Sequence, residues 1–192
     1  MRLVLLGAPG SGKGTQGVAL AEHFGVPHVS SGDLLRMHIA DGTELGLEVA
    51  GYVTKGELVP DDLVLRVIGE AVIAAIEFGG YVLDGFPRTL DQAERGYQLA
   101  AAAGTAADAA IFLAVSDEVA RRRLGARAEG RSDDADPDAI ERRLQLFHEE
   151  TVPLLSHYEN RGILITIDAT QPPDAVLAAI LRALNSLADG GS

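Results

Sequence analysis

Cysteine is absent from this chain, and lysine is limited to Lys13 and Lys55. Without cysteine the chain can form no disulfide and no cysteine-ligated zinc site, which suits the reducing cytoplasm. Although 47% of the residues are apolar, no uninterrupted apolar run is long enough to span a membrane. The apolar run at the start is short and leads directly into a glycine-rich segment, so it does not resemble a secretory signal.

Positive charge is also scarce, because 16 lysines and arginines face 28 acidic residues and leave a net charge of −12. This balance disfavours general binding to nucleic acid or to anionic membranes. A length of 192 residues favours one core domain with a small insertion or two. We therefore expect a cytoplasmic monomer whose partners are small molecules.

A glycine-rich segment runs from Gly7 to Thr15, between the apolar run at 3–6 and a helical pattern at 18–24. A strand, a glycine-rich turn and a helix N-terminus form a phosphate cradle, because the glycines let N–H groups point inward and the helix dipole adds positive charge. Lys13 would reach toward the terminal phosphates. Gly14 follows the lysine where a hydroxyl residue is usual, which favours a small kinase whose magnesium is held largely through water.

Strand and helix patterns alternate along the chain. The candidate strands are 3–6, 28–30, 81–83, 110–114 and 163–167. The candidate helices are near 14–24, 61–78, 90–103, 117–127, 138–160 and 174–188. This alternation predicts an α/β fold with a parallel sheet that is covered on both faces and binds ligands at the carboxyl ends of its strands.

Two segments interrupt this alternation. Residues 31–59 contain short helical patterns broken by glycines and predict a small helical insertion over the sheet edge. Residues 127–137 form a polar, acidic loop between two helices. We assign 1–30, 60–126 and 138–192 to the core domain.

The segment from Asp84 to Arg88 directly follows a buried strand pattern. A carboxylate at the carboxyl end of such a strand, beside a phosphate loop, lies where magnesium would be held. Gly85 and Pro87 favour a tight turn that projects Arg88 into the same crevice. A strand-ending turn with a solvated arginine is the alternative, and the neighbouring phosphate loop makes it the weaker one.

Arginines cluster at element ends and loops of an otherwise acidic protein: Arg36, Arg88, Arg123, Arg127, Arg131, Arg142 and Arg143. Arginines that fork onto phosphoryl oxygens stabilise the charge of a phosphoryl-transfer transition state. Arg123 and Arg127 are four residues apart and share a helix face, so both could point at one phosphate chain. For Arg121 and Arg122, which lie among acidic residues, we expect ordinary surface pairing.

Four motifs together resemble the adenylate kinase family: 7–16, 30–36, 84–88 and 130–134. The resemblance covers nearly the whole chain, with the motifs in the family's order and spacing. It implies a three-layer phosphate-loop fold with a five-stranded parallel sheet, a nucleoside-monophosphate-binding insertion at 31–59 and a lid at 127–137. It also implies the reversible reaction ATP + AMP ⇌ 2 ADP with Mg²⁺. The lid is of the short kind, because three residues separate Arg127 from Arg131, and no zinc is expected.

The resemblance also implies site residues. For ATP they are Gly10, Ser11, Gly12, Lys13, Gly14, Thr15, Arg127 and, through its backbone, Gln171. For AMP they are Ser31, Arg36, Glu57, Leu58, Val59, Gly85, Phe86, Pro87, Arg88, Gln92, Arg131 and Arg143. The catalytic set is Lys13, Arg88, Arg123, Arg131 and Arg143, and Asp84 supports the metal through water.

Some assignments keep alternatives. Arg142 competes with Arg143, because the stretch before them is one residue longer than is usual in the family. Phe86 packs under AMP or only pins its turn. Asp133 and Asp134 anchor the closed lid or are solvated loop charges.

Two other functions are compatible with the same motifs. A UMP/CMP kinase shares the fold and the turn, but its relatives usually carry alanine and asparagine at the positions of Ser31 and Gln92. A side-chain amide at position 92 can donate to and accept from the adenine edge, which favours AMP. A non-catalytic nucleotide sensor would need no complete arginine set, which makes it the weaker alternative.

Overall fold

The computed structural model of the chain describes residues 1–127 and 136–189. Its core is a five-stranded parallel sheet with the order β2-β3-β1-β4-β5. The strands are β1 Arg2–Leu6, β2 His28–Ser30, β3 Tyr81–Asp84, β4 Ala109–Ala114 and β5 Leu164–Asp168. Each end lies within one residue of the strand predicted from the sequence, and the α/β, parallel-sheet prediction is confirmed.

Helices connect the strands and cover both faces of the sheet. They are α1 Lys13–Phe24, α2 Ser31–Ala40, α3 Glu44–Lys55, α4 Asp61–Ile76, α5 Leu90–Ala102, α6 Asp117–Arg127, α7 Pro137–Leu146, α8 Leu154–Glu159 and α9 Pro173–Asp189. Within the ranges that the structure describes, none of these helices is both long and apolar enough to cross a bilayer.

The helix predicted over 138–160 is wrong as a single element. The structure divides it into α7, a π-helical turn at Phe147–Thr151 and α8. In that turn the Val152 N–H donates to the Phe147 carbonyl at 2.9 Å, five residues back. Pro153 has no N–H to continue the ladder, so the helix is interrupted there. The predicted loop also ends earlier than expected, because Pro137 is already the first residue of α7.

The hydrophobic core lies on both faces of the sheet because successive strand residues point to opposite sides. Leu3 and Leu5 of β1 belong to the cluster that contains residues of α1 and α9. Val4 and Leu6 belong to the cluster that contains residues of α4 and α8. The fold therefore has three layers, with helices on either side of one sheet.

The order of the strands sets the position of the site. β1 lies between β3 and β4, so the chain crosses to one side of β1 first and to the other side later. Leu5 of β1 pairs with Asp84 at the end of β3. This reversal opens a crevice at the carboxyl ends of the strands, and it brings the glycine-rich segment beside the turn that begins at Asp84.

The segment 31–59 contains the helices α2 and α3. Gly46 and Gly51, which the sequence predicts as breaks, lie inside α3 and do not interrupt it. Ser30 caps α2 by accepting from the Asp33 N–H, and Thr43 caps α3 by accepting from the Gly46 N–H. The two helices touch closely, because a Cβ at Gly46 would lie only 2.0 Å from the His38 carbonyl oxygen. Val49 is fully buried and joins this pair to the core.

Candidate active site

The glycine-rich segment forms an open cradle of backbone N–H groups. Gly10 and Gly12 have φ angles of +81° and +101°, which residues other than glycine rarely adopt. Gly12 is the N-cap of α1 and provides no side-chain cap. An N-terminus of a helix without a side-chain cap favours an anion, because its first N–H groups and the helix dipole both attract a phosphate.

Lys13 folds back over this loop. Its Nζ donates to the carbonyl oxygens of Gly7 at 2.7 Å and Ala8 at 3.0 Å. Ser11 is buried beneath the loop, and its backbone carbonyl accepts from an Arg123 nitrogen at 3.4 Å. The ammonium group of Lys13 therefore lies over the phosphate loop, and Arg123 of α6 contacts the same loop.

The turn after β3 holds Arg88 by backbone and side-chain contacts. Gly85 has a φ of +76°, and a Cβ there would lie 2.5 Å from Ser31 Oγ, so only glycine fits. The Gly85 carbonyl accepts from Ser31 Oγ at 2.7 Å and from Arg88 Nε at 2.8 Å. Thr151 Oγ1 donates to the Arg88 carbonyl at 2.9 Å. These contacts orient the guanidinium of Arg88 at the wall of the crevice.

Asp84 ends β3 and points toward the start of α1. A Cβ built at Gly14 would lie 3.8 Å from Asp84 Oδ2, so the carboxylate faces the phosphate loop. On its other side, His28 Nε2 lies 3.8 Å from the same oxygen. A hard cation such as magnesium prefers oxygen donors and keeps several waters, so one carboxylate beside a phosphate site fits it.

The loop, the turn and the insertion meet at a cleft with a volume of about 180 Å³. The residues predicted for the site that line this cleft are Gly10, Gly12, Lys13, Gly14, Thr15, Arg36, Leu58, Asp84, Gly85, Pro87, Arg88 and Arg143. Residues predicted to contact ATP and AMP therefore line one continuous cleft.

The structure separates Arg143 from its neighbour Arg142. Arg143 lines the cleft, and its Cγ packs where a Cβ at Gly56 would be, at 3.0 Å. Arg142 is turned away and donates to the Lys55 carbonyl at 3.1 Å, with Glu57 at 3.6 Å. Gly56 has a φ of +70° and closely approaches α7, which brings the end of α3 to the cleft. The geometry favours Arg143 for contact with phosphate.

Several predicted residues lie behind the cleft wall. Ser31 and Val59 are buried, and Ser31 acts on the turn through its hydroxyl. Phe86 is buried and belongs to the same hydrophobic cluster as Ala93 of α5. Glu57 lies beside Arg142 near the surface.

Gln92 is buried, and both atoms of its amide are engaged by protein. Its Oε1 accepts from the Arg88 N–H at 2.8 Å, and its Nε2 donates to Asp61 Oδ1 at 2.5 Å. Thr89 caps α5 by accepting from the Gln92 N–H. The side chain therefore connects the start of α4 to the turn that carries Arg88.

Arg123 links the phosphate loop, through the Ser11 carbonyl, to the turn that precedes Gln171. Arg123 donates to the carbonyl of Ala169 at 2.9 Å and approaches that of Thr170 at 3.4 Å. The Thr170 hydroxyl and N–H donate to Asp168, and these bonds hold the pKa of that carboxyl below its usual value. Gln171 follows this turn and is exposed.

The remaining residues that the sequence analysis names lie outside the described residues or away from the cleft. Arg131, Asp133 and Asp134 lie in the segment 128–135, and the side chain of Arg127 is not described. Arg121 pairs with Glu141 at 2.5 Å, which confirms its surface role. Glu141 is exposed, and this hydrogen bond lowers its pKa.

Two residues that support the site, Thr151 and Asp61, are not predicted from the sequence. Thr151 is bonded to Arg88 across 63 positions of the chain, and Asp61 to Gln92 across 31. Neither contact follows a local periodicity. The one available signal for Asp61 was an acidic residue at the start of a helix, which is more often explained by the helix dipole.

A parallel sheet of this order, with a glycine-rich phosphate loop and arginines at the carboxyl ends of its strands, defines a phosphate-loop nucleotide-binding protein. The family model described as adenylate kinase matches residues 5–163. This chain belongs to the adenylate kinase family.

Curated relatives agree with the family model. Adenylate kinase 1 of Synechocystis sp. is 48% identical and covers 91% of each chain. Adenylate kinase of Mycobacterium tuberculosis is 43% identical, over 96% of this chain and 99% of that one. Adenylate kinase of Lachnospira eligens is 40% identical, over 96% of this chain and all of that one.

Proposed function

We propose that this protein is an adenylate kinase, a phosphotransferase that catalyses ATP + AMP ⇌ 2 ADP with magnesium. The observation that carries the proposal is that the phosphate loop and Arg36, Arg88 and Arg143 line one cleft. A donor phosphate chain on the loop and an acceptor phosphate on the arginines would meet there. Membership of the adenylate kinase family supports the same reaction.

ATP would bind along the loop side of the cleft. The backbone of Gly10–Thr15 would hold its phosphates at the start of α1, and Lys13 would leave its two carbonyl partners for the terminal phosphates. Arg123 and, by resemblance, Arg127 would lie along the phosphate chain, and the Gln171 backbone would contact the adenine.

AMP would bind between the insertion and the turn after β3. Arg36, Arg88, Arg131 and Arg143 would pair with its phosphate, while Ser31, the segment 57–59, the turn 85–88 and Gln92 would surround its nucleoside. Gln92 is only 2% exposed, so adenine can reach its amide only when the residues that cover it move. Such movement is therefore part of the proposal.

Phosphoryl transfer would proceed in line, with no covalent protein intermediate. An oxygen of the AMP phosphate attacks the terminal phosphorus of ATP, and the bond to the bridging oxygen breaks, so ADP leaves. Lys13, Arg88, Arg123, Arg131 and Arg143 would stabilise the charge on the transferring oxygens. Their positive charges also offset the repulsion between the two phosphate groups.

Magnesium, when bound, supplies charge neutralisation of the phosphate oxygens. Asp84 would support it through water, since its carboxylate faces the phosphate loop. Among residues 1–127 and 136–189, no group of three histidine or acidic side chains could hold a metal. A water-mediated site that depends on the nucleotide phosphates fits this arrangement.

The segments 31–59 and 127–137 would act as the monophosphate-binding insertion and a short lid. Closure over bound nucleotides would exclude water and so prevent ATP hydrolysis. The lid of adenylate kinases is a standard example of closure with this effect. We further propose that the protein is a cytoplasmic monomer that binds neither nucleic acid nor membranes, as its net charge of −12 favours.

An acceptor panel tests the proposal. Purified protein, ATP and magnesium are mixed with AMP, CMP, UMP, GMP or water, and nucleoside diphosphate formation is followed. We expect strong preference for AMP and little hydrolysis. Lys13→Ala should abolish transfer, whereas Lys55→Ala, at the chain's other and exposed lysine, should not. Preference for CMP or UMP would favour the UMP/CMP kinase, and binding of ATP without transfer would favour a sensor.

A further inference from the structure

The side-chain amide of Gln92 is held between one hydrogen-bond donor and one hydrogen-bond acceptor. The Arg88 N–H donates to Oε1 at 2.8 Å, and Asp61 Oδ1 accepts from Nε2 at 2.5 Å. A backbone N–H can only donate, and an ionised carboxylate can only accept. Rotation of the amide by 180° would oppose N–H to N–H and oxygen to oxygen. The two partners therefore permit one orientation of the amide.

Helix capping accounts for part of this arrangement only. Thr89 and Gln92 have the spacing of a capping box, in which a hydroxyl and an amide satisfy the first N–H groups of a helix. Here Gln92 Oε1 accepts from Arg88, just before the cap residue. Capping gives no reason for the bond to Asp61, which comes from a different helix.

We propose that Asp61 is a positioning residue that sets the base selectivity of the AMP site by fixing the orientation of the Gln92 amide. This inference rests on the proposed function. An amide nitrogen has two N–H donors and its oxygen two lone pairs, so within the described contacts one of each remains for a ligand. A 6-aminopurine presents an amino donor beside a ring-nitrogen acceptor, which is the pattern that a carboxamide pairs with in two hydrogen bonds.

The opposite orientation would favour a different base. Hypoxanthine, the base of inosine monophosphate (IMP), has the size and shape of adenine but presents a carbonyl acceptor beside a ring N–H donor. An amide rotated by 180° would match it. Because Asp61 can only accept, it holds the amide in the orientation that rejects the 6-oxo base, and a mismatched site leaves buried polar groups unpaired.

The test compares kcat/KM for AMP and for IMP in Asp61→Asn. Asparagine keeps the size of the side chain but can donate as well as accept, so it no longer dictates the orientation. We expect the AMP-over-IMP preference to fall about tenfold, since a charge-assisted bond is replaced by a neutral one. Asp62→Asn is the matched control. It removes the same charge from the same helical turn, but Asp62 is exposed and pairs with Arg95 at 2.8 Å.

The same Asp61 change in a Gln92→Ala variant tests whether Asp61 acts through Gln92. In Gln92→Ala, the further change Asp61→Asn should leave the AMP-to-IMP ratio unchanged, because the oriented amide is gone. A purely structural role would lower the melting temperature and the rates for both acceptors equally. An unchanged ratio in the single Asp61→Asn variant, or an equal fall in the Gln92→Ala background, would overturn the inference.

A measurement on the wild-type protein needs no stable variant. Side-chain amide NMR signals of Gln92, assigned by their loss in Gln92→Ala, should exchange slowly with solvent because Nε2 is bonded to Asp61. Rapid exchange would overturn the inference. Absence of AMP phosphorylation by the wild type, with the amide still protected, would count against the proposed function instead.

Discussion

The position of Arg88 depends on side chains that reach its turn from three other parts of the chain. Ser31 holds the Gly85 carbonyl, Thr151 holds the Arg88 carbonyl and Gln92 holds the Arg88 N–H. Phe86 anchors the same turn in the core. A turn with its backbone held on both sides can present a guanidinium at a defined place, which is what stabilisation of a transferring phosphoryl group requires.

Replacement of Arg88 by alanine should lower kcat by about 10²-fold or more, which is the cost of losing one donor to the transition-state oxygens. Steady-state kinetics with saturating ATP and AMP measures it. Arg95→Ala is the control, because Arg95 is an exposed arginine that pairs with Asp62 and Asp91. A loss below about threefold for Arg88→Ala would contradict a catalytic role, given the usual cost of such a donor.

Replacement of Gln92 by asparagine should weaken the preference for AMP over CMP. The shorter side chain cannot span from the Arg88 N–H to Asp61, so its amide would no longer be held at both atoms. The ratio of kcat/KM values for the two acceptors measures the change, and Gln98→Asn on the exposed surface of α5 is the control. An unchanged ratio would mean that adenine is read by other residues.

Helix α1 contacts β2 so closely that one of its residues must lack a side chain. A Cβ at Gly17 would lie 2.4 Å from His28 Nε2 and 2.7 Å from His28 Cδ2. The imidazole therefore lies against the backbone of α1, one turn after the phosphate loop, with Asp84 on its other side. Packing here outweighs helix propensity, which would favour alanine over glycine.

Two glycine-to-alanine changes should have opposite effects on stability. Gly17→Ala should lower the free energy of unfolding by about 1 kcal/mol, because overpacking of 1–3 kcal/mol exceeds the gain in helix propensity. Gly69→Ala in α4 should raise it by up to about 1 kcal/mol, since a Cβ there meets nothing within 4 Å. Thermal or denaturant unfolding measures both. Equal stabilisation by the two changes would show that the His28 ring moves aside freely.

Charge across the entire chain is strongly unbalanced, at a formal net value of −12. Surface ion pairs such as Arg2 with Asp108 and Arg121 with Glu141 offset only part of it locally. Self-repulsion of this kind destabilises the compact state and is screened by salt. The cleft is the local exception, because Lys13, Arg36, Arg88 and Arg143 line it.

Added salt should therefore raise the melting temperature. Between about 10 and 150 mM NaCl the screening length falls from roughly 30 Å to 8 Å, so long-range repulsion is lost while hydrogen-bonded pairs persist. Scanning calorimetry at neutral pH measures the shift, and choline chloride at equal ionic strength controls for specific binding of sodium. A melting temperature that falls with salt would mean that the ion pairs outweigh the repulsion.

The sequence determined the features that local chemistry encodes. Apolar runs and glycine positions predicted every strand to within one residue, together with the phosphate loop and the turn at Asp84. These patterns are readable because a buried parallel strand and a helix N-terminus each impose a composition on a few consecutive residues. The prediction of one helix over 138–160 was wrong because it relied on the spacing of apolar residues. That spacing does not show that Pro153 interrupts the backbone hydrogen bonds of the helix.

Tertiary structure alone decided which side chains meet. Arg142 and Arg143 are adjacent and chemically equal, and only the packing of α7 against Gly56 turns Arg143 into the cleft. Likewise, Asp61 and Gln92 are joined because α4 and α5 begin beside each other. Contacts between distant residues depend on how the elements pack, so no local sequence pattern predicts them. The backbone conformations of the phosphate cradle are predicted from the sequence, because they depend on the glycines that adopt them.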